Sequence, residues 1–285
     1  GLFYDVDFLE EKDRIMIKKA LENGTTFLAL SFVQTKDNIL EVKEYVKSLG
    51  FEVPKIIAKI ESYSALTHID EILDEVDGIM IARGDLALEV DVEQVPIIQK
   101  KFVKKAKMKN KLAIVATEMM GSMISSPRPT RAEVTDVANA IIDGSDCVML
   151  SGETAAGKYP IDAVKVMNNI AITTENSFDF QNSIKSKNRQ DILNTMNSIS
   201  LSTKEIAENL RAKAIICATA SGITPISISK FRPFVDIIAV TYSEKVRRKL
   251  QIFWGVTSLI SKKSEHTDEV IERSISATLN ANYIS

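Results

Sequence analysis

Short hydrophobic runs recur about every 30 residues along the first half of the chain. Each run is rich in Ile, Val, Leu or Ala and is almost continuously apolar, which is typical of parallel strands buried on both faces. The runs cover residues 26–33, 55–60, 78–83, 112–117 and 146–150. They predict five buried strands.

The segments between these runs have a helical period instead. In one of them, Ile98, Phe102 and Ala106 form an apolar stripe on one helix face. In another, Thr130 and Glu133 have the spacing of a capping box, which marks a helix start. The predicted helices cover residues 37–49, 64–75, 95–109, 130–143 and 161–177. Alternating strands and helices predict a parallel sheet with right-handed crossovers.

Such a sheet can stay open and doubly wound, or it can close into an eight-stranded barrel. No strand is followed by G-x-G-x-x-G, which weakens the dinucleotide-binding form of the open sheet. Polar residues at the ends of successive strands favour the barrel, because barrel enzymes assemble their sites there. A closed barrel needs eight strands and about 250 residues. We therefore predict a partial (β/α)₈ TIM-type barrel over residues 1–180, corresponding to strands 4–8, with three strands missing upstream of Gly1.

A polar stretch at residues 181–198 separates the predicted barrel from a second unit. Its composition is typical of a linker or a domain boundary. Three more strands are predicted at residues 213–218, 235–240 and 256–260. We predict a partial α/β C-terminal domain of the regulatory type over residues 181–285, which ends without a closing strand.

Composition and charge exclude several classes of protein. The net charge of −2 gives no reason to expect nucleic acid or an anionic membrane as a partner, and the lysine-rich residues 100–111 fit the wet face of a helix. The two cysteines, Cys147 and Cys217, lie in apolar runs, which predicts reduced thiols rather than disulfides or zinc ligands. With no signal peptide and no span-length apolar run in this sequence, we predict a cytoplasmic protein.

Polar residues at the ends of the predicted strands are the candidates for chemistry. Lys59 and Glu61 are two positions apart in a strand, so their side chains point to the same face. Burying such charges is costly unless they are solvated, paired or functional. The pair is therefore either an exposed strand end with a simple ion pair or part of a site.

The next strand ends in Arg83-Gly84-Asp85-Leu86. Gly84 permits a close backbone approach or a positive φ, and Asp85 can cap the following helix. Alternatively, Glu61 and Asp85 share one ion, since adjacent strands lie about 4.8 Å apart. Two carboxylates suit Mg²⁺, and backbone N–H groups near Gly84 and Asp85 can hold an anionic group.

Two more strand ends carry weaker signals. Thr117 is either an ordinary β-former or a hydroxyl that relays a proton through water. Ser151, Gly152, Glu153 and Thr154 follow the fifth strand and predict a small structural turn with an acidic residue at a helix start.

These elements stand in the order and spacing that is found in the pyruvate kinases, and the chain resembles that family from about Asp5 onward, less closely after residue 180. The matching segments are LALSFVQ, IIAKIES, DGIMIARGDLALEV and VATEMMGSMISSPRPTRAEVTDVANAIIDGSDCVMLSGETAAGKYP. The resemblance implies barrel strands four to eight, with helix three near residues 10–23. It also implies that the upstream strands and a small inserted β-domain are absent from this chain.

The resemblance implies phosphoryl transfer from phosphoenolpyruvate to ADP in glycolysis, giving pyruvate and ATP, with Mg²⁺ and K⁺ as cofactors. Lys59 would lie beside the phosphoryl group, while Glu61 and Asp85 would bind Mg²⁺. The backbone at Gly84 and Asp85 would hold the pyruvate carboxylate, and Thr117 would lie near the enolate carbon. Most K⁺ ligands and nucleotide contacts would lie outside this chain, which is expected to be incomplete, unstable and inactive alone.

Many members of the family bind a sugar-phosphate activator and are homotetramers. The matching loop here contains Thr219, Ser221, Gly222 and Thr224, which would cradle a phosphate. An ordinary helix start is the alternative for this loop.

Three positions depart from the family pattern: Gln34 replaces a frequent Arg, Ala87 a usual Gly, and Glu118 a common Gln. Only Glu118 adds charge close to a candidate residue. Two other functions remain open. One is a Mg²⁺-dependent aldolase or lyase that handles pyruvate on a similar barrel. The other is a non-catalytic fragment that persists as an interaction module.

Overall fold

A computed structural model describes residues 8–177, 180, 194–264 and 266–284. The chain divides into two compact units, Gly1–Asn176 and Ser177–Ser285, which are described separately. Residue 181, where the second domain is predicted to begin, and most of the polar stretch assigned to a linker lie outside the described residues.

The first unit contains a parallel sheet of five strands in the order β1-β2-β3-β4-β5. Its bounds agree with the predicted hydrophobic runs: β1 Phe27–Leu30, β2 Lys55–Ile60, β3 Gly78–Ala82, β4 Leu112–Ala116 and β5 Cys147–Met149. All residues of β3 and β4 are buried, as expected for strands covered on both faces. Strand β1 ends three residues before the predicted run does, and Phe32, which follows it, has a positive φ of 54°.

Helices follow the strands of this unit. The described helices are α1 Glu11–Glu22, α2 Lys36–Ser48, α3 Tyr63–Thr67, α4 Ile69–Glu75, α5 Arg83–Glu89, α6 Val95–Met108, α7 Arg131–Asp143, α8 Gly152–Ala155 and α9 Pro160–Glu175. The capping box at the start of α7 is confirmed, since the Thr130 hydroxyl accepts from the Glu133 amide and Glu133 reaches back to Thr130.

The single helix predicted over residues 64–75 is wrong, because the chain breaks at His68 into α3 and α4. The Ser64 carbonyl is contacted by the Thr67 hydroxyl at 2.8 Å and by His68 Nδ1 at 2.9 Å. Side chains that bond to helix carbonyls compete with the backbone ladder. The apolar periodicity, which Ile69 and Ile72 continue, cannot reveal that competition.

Two aspartates tie the strand starts together. Asp77 precedes β3 and accepts from the Ile56 amide at 3.0 Å, and Asp146 precedes β5 and accepts from the Ala113 amide at 3.0 Å. Gly78 packs so closely on β4 that an added Cβ would lie 2.6 Å from the Leu112 Cβ. These contacts fix the register of the strands, and therefore the relative positions of the last residues at their C-terminal ends.

The second unit is a parallel sheet of three strands in the order β6-β7-β8, covered by helices. The predicted strands are confirmed as β6 Ala214–Ala218, β7 Asp236–Thr241 and β8 Val256–Ile260. Its described helices are α10 Thr195–Asn209, α11 Ile223–Ser229, α12 Glu244–Leu250 and α13 Thr267–Asn280. Among the described helices of both units, none is long and apolar enough to cross a membrane.

Candidate active site

Lys59 and Glu61 lie together at the C-terminal end of β2. The ammonium Nζ of Lys59 is 2.5 Å from Glu61 Oε1 and donates to the Ser31 hydroxyl at 2.9 Å. The Lys59 side chain is 25% exposed and the Glu61 side chain 0%. The two residues therefore form a half-buried ion pair, with the cation at the surface and the anion inside.

One oxygen of the Glu61 carboxylate accepts a backbone hydrogen bond, and the other contacts the Lys59 ammonium. Oε2 accepts from the Phe32 amide at 2.6 Å, and Phe32 has a positive φ of 54°. Oε1 is buried and lies 2.5 Å from the Lys59 ammonium, and the described residues give it no further hydrogen-bond donor. The contact with Lys59 therefore provides the charge compensation that the buried carboxylate needs.

Asp85 follows the neighbouring strand. In the β2–β3 register Ile60 pairs with Ile81, so Glu61 stands level with Ala82, three residues before Asp85. The expectation that Asp85 caps the next helix is wrong, because α5 begins at Arg83 after Ala82. Asp85 is an exposed residue in the first turn, where the helix dipole favours a carboxylate.

Gly84 does not use the backbone freedom expected of it. Its φ is not positive, and an added Cβ would meet Thr117 Oγ1 at 3.5 Å, an ordinary contact. Its amide donates to that same hydroxyl oxygen at 2.7 Å. In this conformation the Gly84 amide is therefore already engaged by the protein.

Thr117 leaves β4 in a left-handed conformation, with φ of 69°, and Glu118 follows with φ of 53°. Two consecutive non-glycine residues in this region, the first of them β-branched, are unusual and strained. The Thr117 hydroxyl donates to the Ala116 carbonyl at 2.6 Å and accepts from the Gly84 amide. Its position is consequently defined on both sides.

Arg83 is a residue that the sequence interpretation did not assign to the site. It is 8% exposed, and its Nε and Nη2 donate to the Thr117 carbonyl at 3.2 and 2.8 Å. Its Nη1 donates to Asp136 at 2.7 Å. The sequence does contain a signal for this role, because an arginine directly after an apolar strand is expected to be partly buried and a buried guanidinium needs several partners.

Glu153 is also buried, 3% exposed, in the turn after β5. It accepts from the Met120 amide at 3.0 Å and from the Ser151 amide at 2.8 Å. Its carboxylate therefore joins the loop after β4 to the loop after β5. The geometry agrees with the structural interpretation of this turn.

Glu133 organises the loop that leads into α7. It accepts from the Ser122 amide at 2.7 Å and from the Thr130 amide at 2.7 Å, besides both hydroxyl groups. Burial raises the pKa of Glu133, but the hydrogen bonds from Ser122 and Thr130 outweigh it, so the pKa lies below its ordinary value. The charged form of Glu133 is thus built into the loop.

Several lysines of α6, and Lys109 at its C-terminal end, are paired with carboxylates. Lys105 contacts Asp70 at 2.6 Å, Lys109 contacts Asp74 at 2.5 Å, and Lys100 contacts Asp143. Such pairs are what the solvent-facing interpretation of residues 100–111 expects.

The loop proposed to hold an effector phosphate lies between β6 and α11. The Thr219 hydroxyl accepts from the Gly222 amide at 2.8 Å, and the Ser221 hydroxyl accepts from the Ile223 amide at 3.4 Å. Gly222 has a φ of 83°, and Thr224 is an exposed residue of α11. The Thr219 and Ser221 hydroxyls thus bond to backbone amides at the start of α11 in this structure, and the phosphate role of the loop stays a prediction.

The candidate carboxylates do not form a complete metal site. Among the described residues, no cluster of three or more His, Cys, Asp or Glu side chains could hold a metal ion. Glu61 offers a buried oxygen that contacts Lys59 in this structure, and Asp85 is exposed three residues beyond Ala82, the residue level with Glu61. Two oxygen ligands fit Mg²⁺, which is commonly bound by one or two carboxylates together with water and substrate oxygens.

Comparisons with known proteins are consistent along the whole chain. The family "Pyruvate kinase, barrel domain" matches residues 1–164, and "Pyruvate kinase, alpha/beta domain" matches residues 197–285. The pyruvate kinase of Geobacillus stearothermophilus is 42% identical over 284 residues, covering 100% of this chain and 48% of the relative. That of Clostridium acetobutylicum is 42% identical over 276 residues, covering 97% of this chain and 58% of the relative.

A crystal structure of a pyruvate kinase from Cryptosporidium parvum superposes with a TM-score of 0.93 at 37% identity, covering 100% of this chain and 60% of that one. The matches confirm the prediction of part of a (β/α)₈ barrel followed by an α/β domain. The chain spans about half the length of the first curated relatives it matches. Since all these relatives bear one name, they give no support to the aldolase or lyase alternative.

Proposed function

This chain belongs to the pyruvate kinase family, and we propose that it forms part of an enzyme that transfers the phosphoryl group of phosphoenolpyruvate to ADP. The P–O bond of phosphoenolpyruvate breaks, a β-phosphate oxygen of ADP takes the phosphoryl group, and the enolate that remains takes a proton to give pyruvate. The observation that carries the proposal is the Lys59–Glu61 pair, which holds a partly exposed ammonium 2.5 Å from a buried carboxylate at the end of β2.

Glu61 and Asp85 are the residues we propose as Mg²⁺ ligands. The chemistry of the two side chains supports this choice, because Mg²⁺ is commonly bound by one or two carboxylates together with water and substrate oxygens. Bound Mg²⁺ would neutralise charge on the substrate oxygens. The remaining ligands would come from water, the substrates or residues beyond this chain. A K⁺ site would also lie mostly beyond it.

Lys59 is the residue we propose beside the phosphoryl group. Its ammonium is held by Ser31 and Glu61 on one side, while a quarter of the side chain stays exposed. A cation fixed before the reaction stabilises negative charge as it builds up on the transferring group. Ser31 and Glu61 would therefore orient Lys59 rather than neutralise it completely.

Thr117 is the residue we propose near the enolate carbon. Its hydroxyl hydrogen points to the Ala116 carbonyl and its oxygen is occupied by the Gly84 amide. To order a water molecule that carries the proton, the hydroxyl would first have to release one of these two bonds by a small rotation. Gly84 and Asp85 remain the proposed contacts of the substrate carboxylate, and the Gly84 amide would have to exchange its bond to Thr117 for one to the substrate.

The experiment is an assay of pyruvate formation from phosphoenolpyruvate and ADP with Mg²⁺ and K⁺. It uses the 285-residue chain and a version extended upstream in its reading frame. In the active form, we expect Lys59→Met to lower kcat by about 10³-fold. Lys55→Met is the matched control: Lys55 lies at the other end of β2, 2.7 Å from Asp77, and its loss should change kcat less than about twofold.

Two results would contradict the proposal. One is normal turnover of Lys59→Met, and the other is an equal loss in both lysine variants. The absence of turnover from every form would leave the non-catalytic fragment as the better interpretation. A sugar-phosphate activator bound by Thr219, Ser221, Gly222 and Thr224, a homotetramer, and a cytoplasmic location are proposed only from the family.

A further inference from the structure

Arg83 directs two of its donors at one backbone carbonyl. Its Nε and Nη2 both donate to the Thr117 oxygen, at 3.2 and 2.8 Å. Nη1 donates to Asp136 at 2.7 Å and to Gln99 at 3.4 Å. The guanidinium is buried, so this arrangement is fixed by packing and not only by charge.

The ion pair alone does not explain the arrangement. The charge of Arg83 is balanced by Asp136, whose carboxylate lies 2.7 Å from the guanidinium. The two donors aimed at Thr117 are therefore not needed for neutralisation. They hold a carbonyl at the point where the chain leaves β4 in a left-handed conformation, with φ of 69°. A β-branched residue keeps such a conformation only when its surroundings enforce it.

The residue after Arg83 completes the hold on Thr117. The Gly84 amide donates to the Thr117 hydroxyl at 2.7 Å, while Arg83 holds the carbonyl of the same residue. Two consecutive residues after β3 thus hold the carbonyl and the hydroxyl of the residue that follows β4. Freed from Arg83, the Thr117 peptide could relax toward an extended conformation, which would turn the hydroxyl away from Gly84.

We propose that Arg83 is a positioning residue, whose guanidinium holds the Thr117 peptide in its left-handed conformation and thereby sets the place of the Thr117 hydroxyl in the site. This inference rests on the proposed function, because it assigns the hydroxyl to the protonation of the enolate. It predicts that Arg83 affects the reaction only through Thr117. Lys59 contacts Ser31 and Glu61, and we expect it to keep these contacts when Arg83 is replaced.

The test compares Arg83→Gln, Arg83→Lys, Thr117→Ala and the double variant Arg83→Gln/Thr117→Ala in the active form of the protein. Two readouts are taken: kcat and KM for pyruvate formation, and the exchange of pyruvate methyl protons with deuterium, followed by NMR. The exchange reaction reports proton transfer without ADP. Lys100→Gln is the control, because Lys100 pairs with Asp143 and touches neither Arg83 nor Thr117.

We expect Arg83→Gln to lower kcat and methyl exchange by about 100-fold, the size of effect that a misplacement of about 1 Å can have, with little change in KM for ADP. Arg83→Lys should lose nearly as much, because one ammonium cannot replace the two-donor fork. In the double variant the losses should not multiply, since Arg83 has nothing to position once the hydroxyl is gone. Lys100→Gln should retain kcat within about twofold.

Several outcomes would overturn the inference. Unchanged methyl exchange in folded Arg83 variants would do so, as would losses that multiply in the double variant. Unfolding of both Arg83→Gln and Arg83→Lys would show that Arg83 is needed for folding instead. If the unaltered protein makes pyruvate, these results reject the role of Arg83 and leave the proposed function standing. If it makes none in any form, the proposed function fails and this inference fails with it.

Discussion

The Lys59–Glu61 pair predicts an unequal response to the loss of its two partners. Glu61 has a side chain with 0% exposure, whereas Lys59 is 25% exposed. Lys59→Met removes the cation that compensates the buried carboxylate, leaving Oε1 without that charged neighbour and Oε2 with the Phe32 amide. Breaking a fully buried pair in this way costs about 3–5 kcal/mol. Because Lys59 reaches solvent, we expect a smaller loss of stability, about 2–3 kcal/mol.

Glu61→Gln removes the anion of the same pair and leaves the cation in place. The amide oxygen can keep the 2.6 Å bond to the Phe32 amide, and Lys59 keeps its 2.9 Å bond to the Ser31 hydroxyl and can turn toward water. The variant also removes the desolvation cost of the buried carboxylate. We therefore expect a loss below about 1.5 kcal/mol. Lys59→Met/Glu61→Gln should recover most of the loss caused by Lys59→Met alone.

The assay is urea unfolding of the intact protein, followed by circular dichroism, with the free energy of unfolding compared among the three variants. Lys55→Met serves as the control, because its pair with Asp77 is about 37% and 38% exposed and should contribute no more than about 1 kcal/mol. The reasoning is refuted if Glu61→Gln is as damaging as Lys59→Met, or if the double variant is worse than either single one.

Three other predictions follow from the described contacts. Gly78→Ala should lower the melting temperature, because the added Cβ would lie 2.6 Å from Leu112 and cost about 1–3 kcal/mol of stability. Gly121→Ala is the control, since its added Cβ would have its nearest neighbour 4.0 Å away, and equal melting temperatures of the two variants would contradict the prediction. Glu133→Gln should lower the free energy of unfolding by about 1–2 kcal/mol at neutral pH and by little in acid. The pKa of Glu133 is depressed from 4.5, so the stabilisation from its charged form is present above pH 4.5 and is lost as the pH falls through the folded pKa. Thermal melts at several pH values measure this dependence. Burial raises the pKa of the Cys217 thiol to about 12, so a thiol reagent at a pH of about 8 should label Cys217 only after unfolding. Because Cys147 is only partly buried, the label is located by mass spectrometry, and rapid labelling of Cys217 in the folded protein would refute the prediction.

Much of the fold could be predicted because its signals are local. Strands β2, β3 and β4 are apolar for most or all of their length, and an apolar run of that length between helical segments has few alternatives. The Thr130 capping box depends on residues three apart, so spacing alone reveals it. The pairing of Lys59 with Glu61 depends on the two-residue period of a strand and was likewise accessible.

The parts that could not be predicted depend on partners far apart in sequence. Arg83 contacts Thr117, 34 positions later, and Asp136, 53 positions later. A left-handed threonine has no local signature, because its conformation is enforced by those distant contacts. The positive φ considered for Gly84 is not observed, because a glycine permits a positive φ without requiring one. Helix α5 begins at the preceding residue, so Gly84 has a helical conformation.

The contacts at the strand ends follow one pattern. A polar side chain after one strand bonds to the segment that follows a neighbouring strand. Glu61 after β2 holds Phe32 after β1, Arg83 after β3 holds Thr117 after β4, and Glu153 after β5 holds the loop that follows Thr117. Links of this kind fix the groups of a site before a ligand arrives, which is where electrostatic catalysis gains most. The same links explain why the backbone at Phe32 and Thr117 is strained, since each is held by a neighbour in a conformation it would not adopt alone.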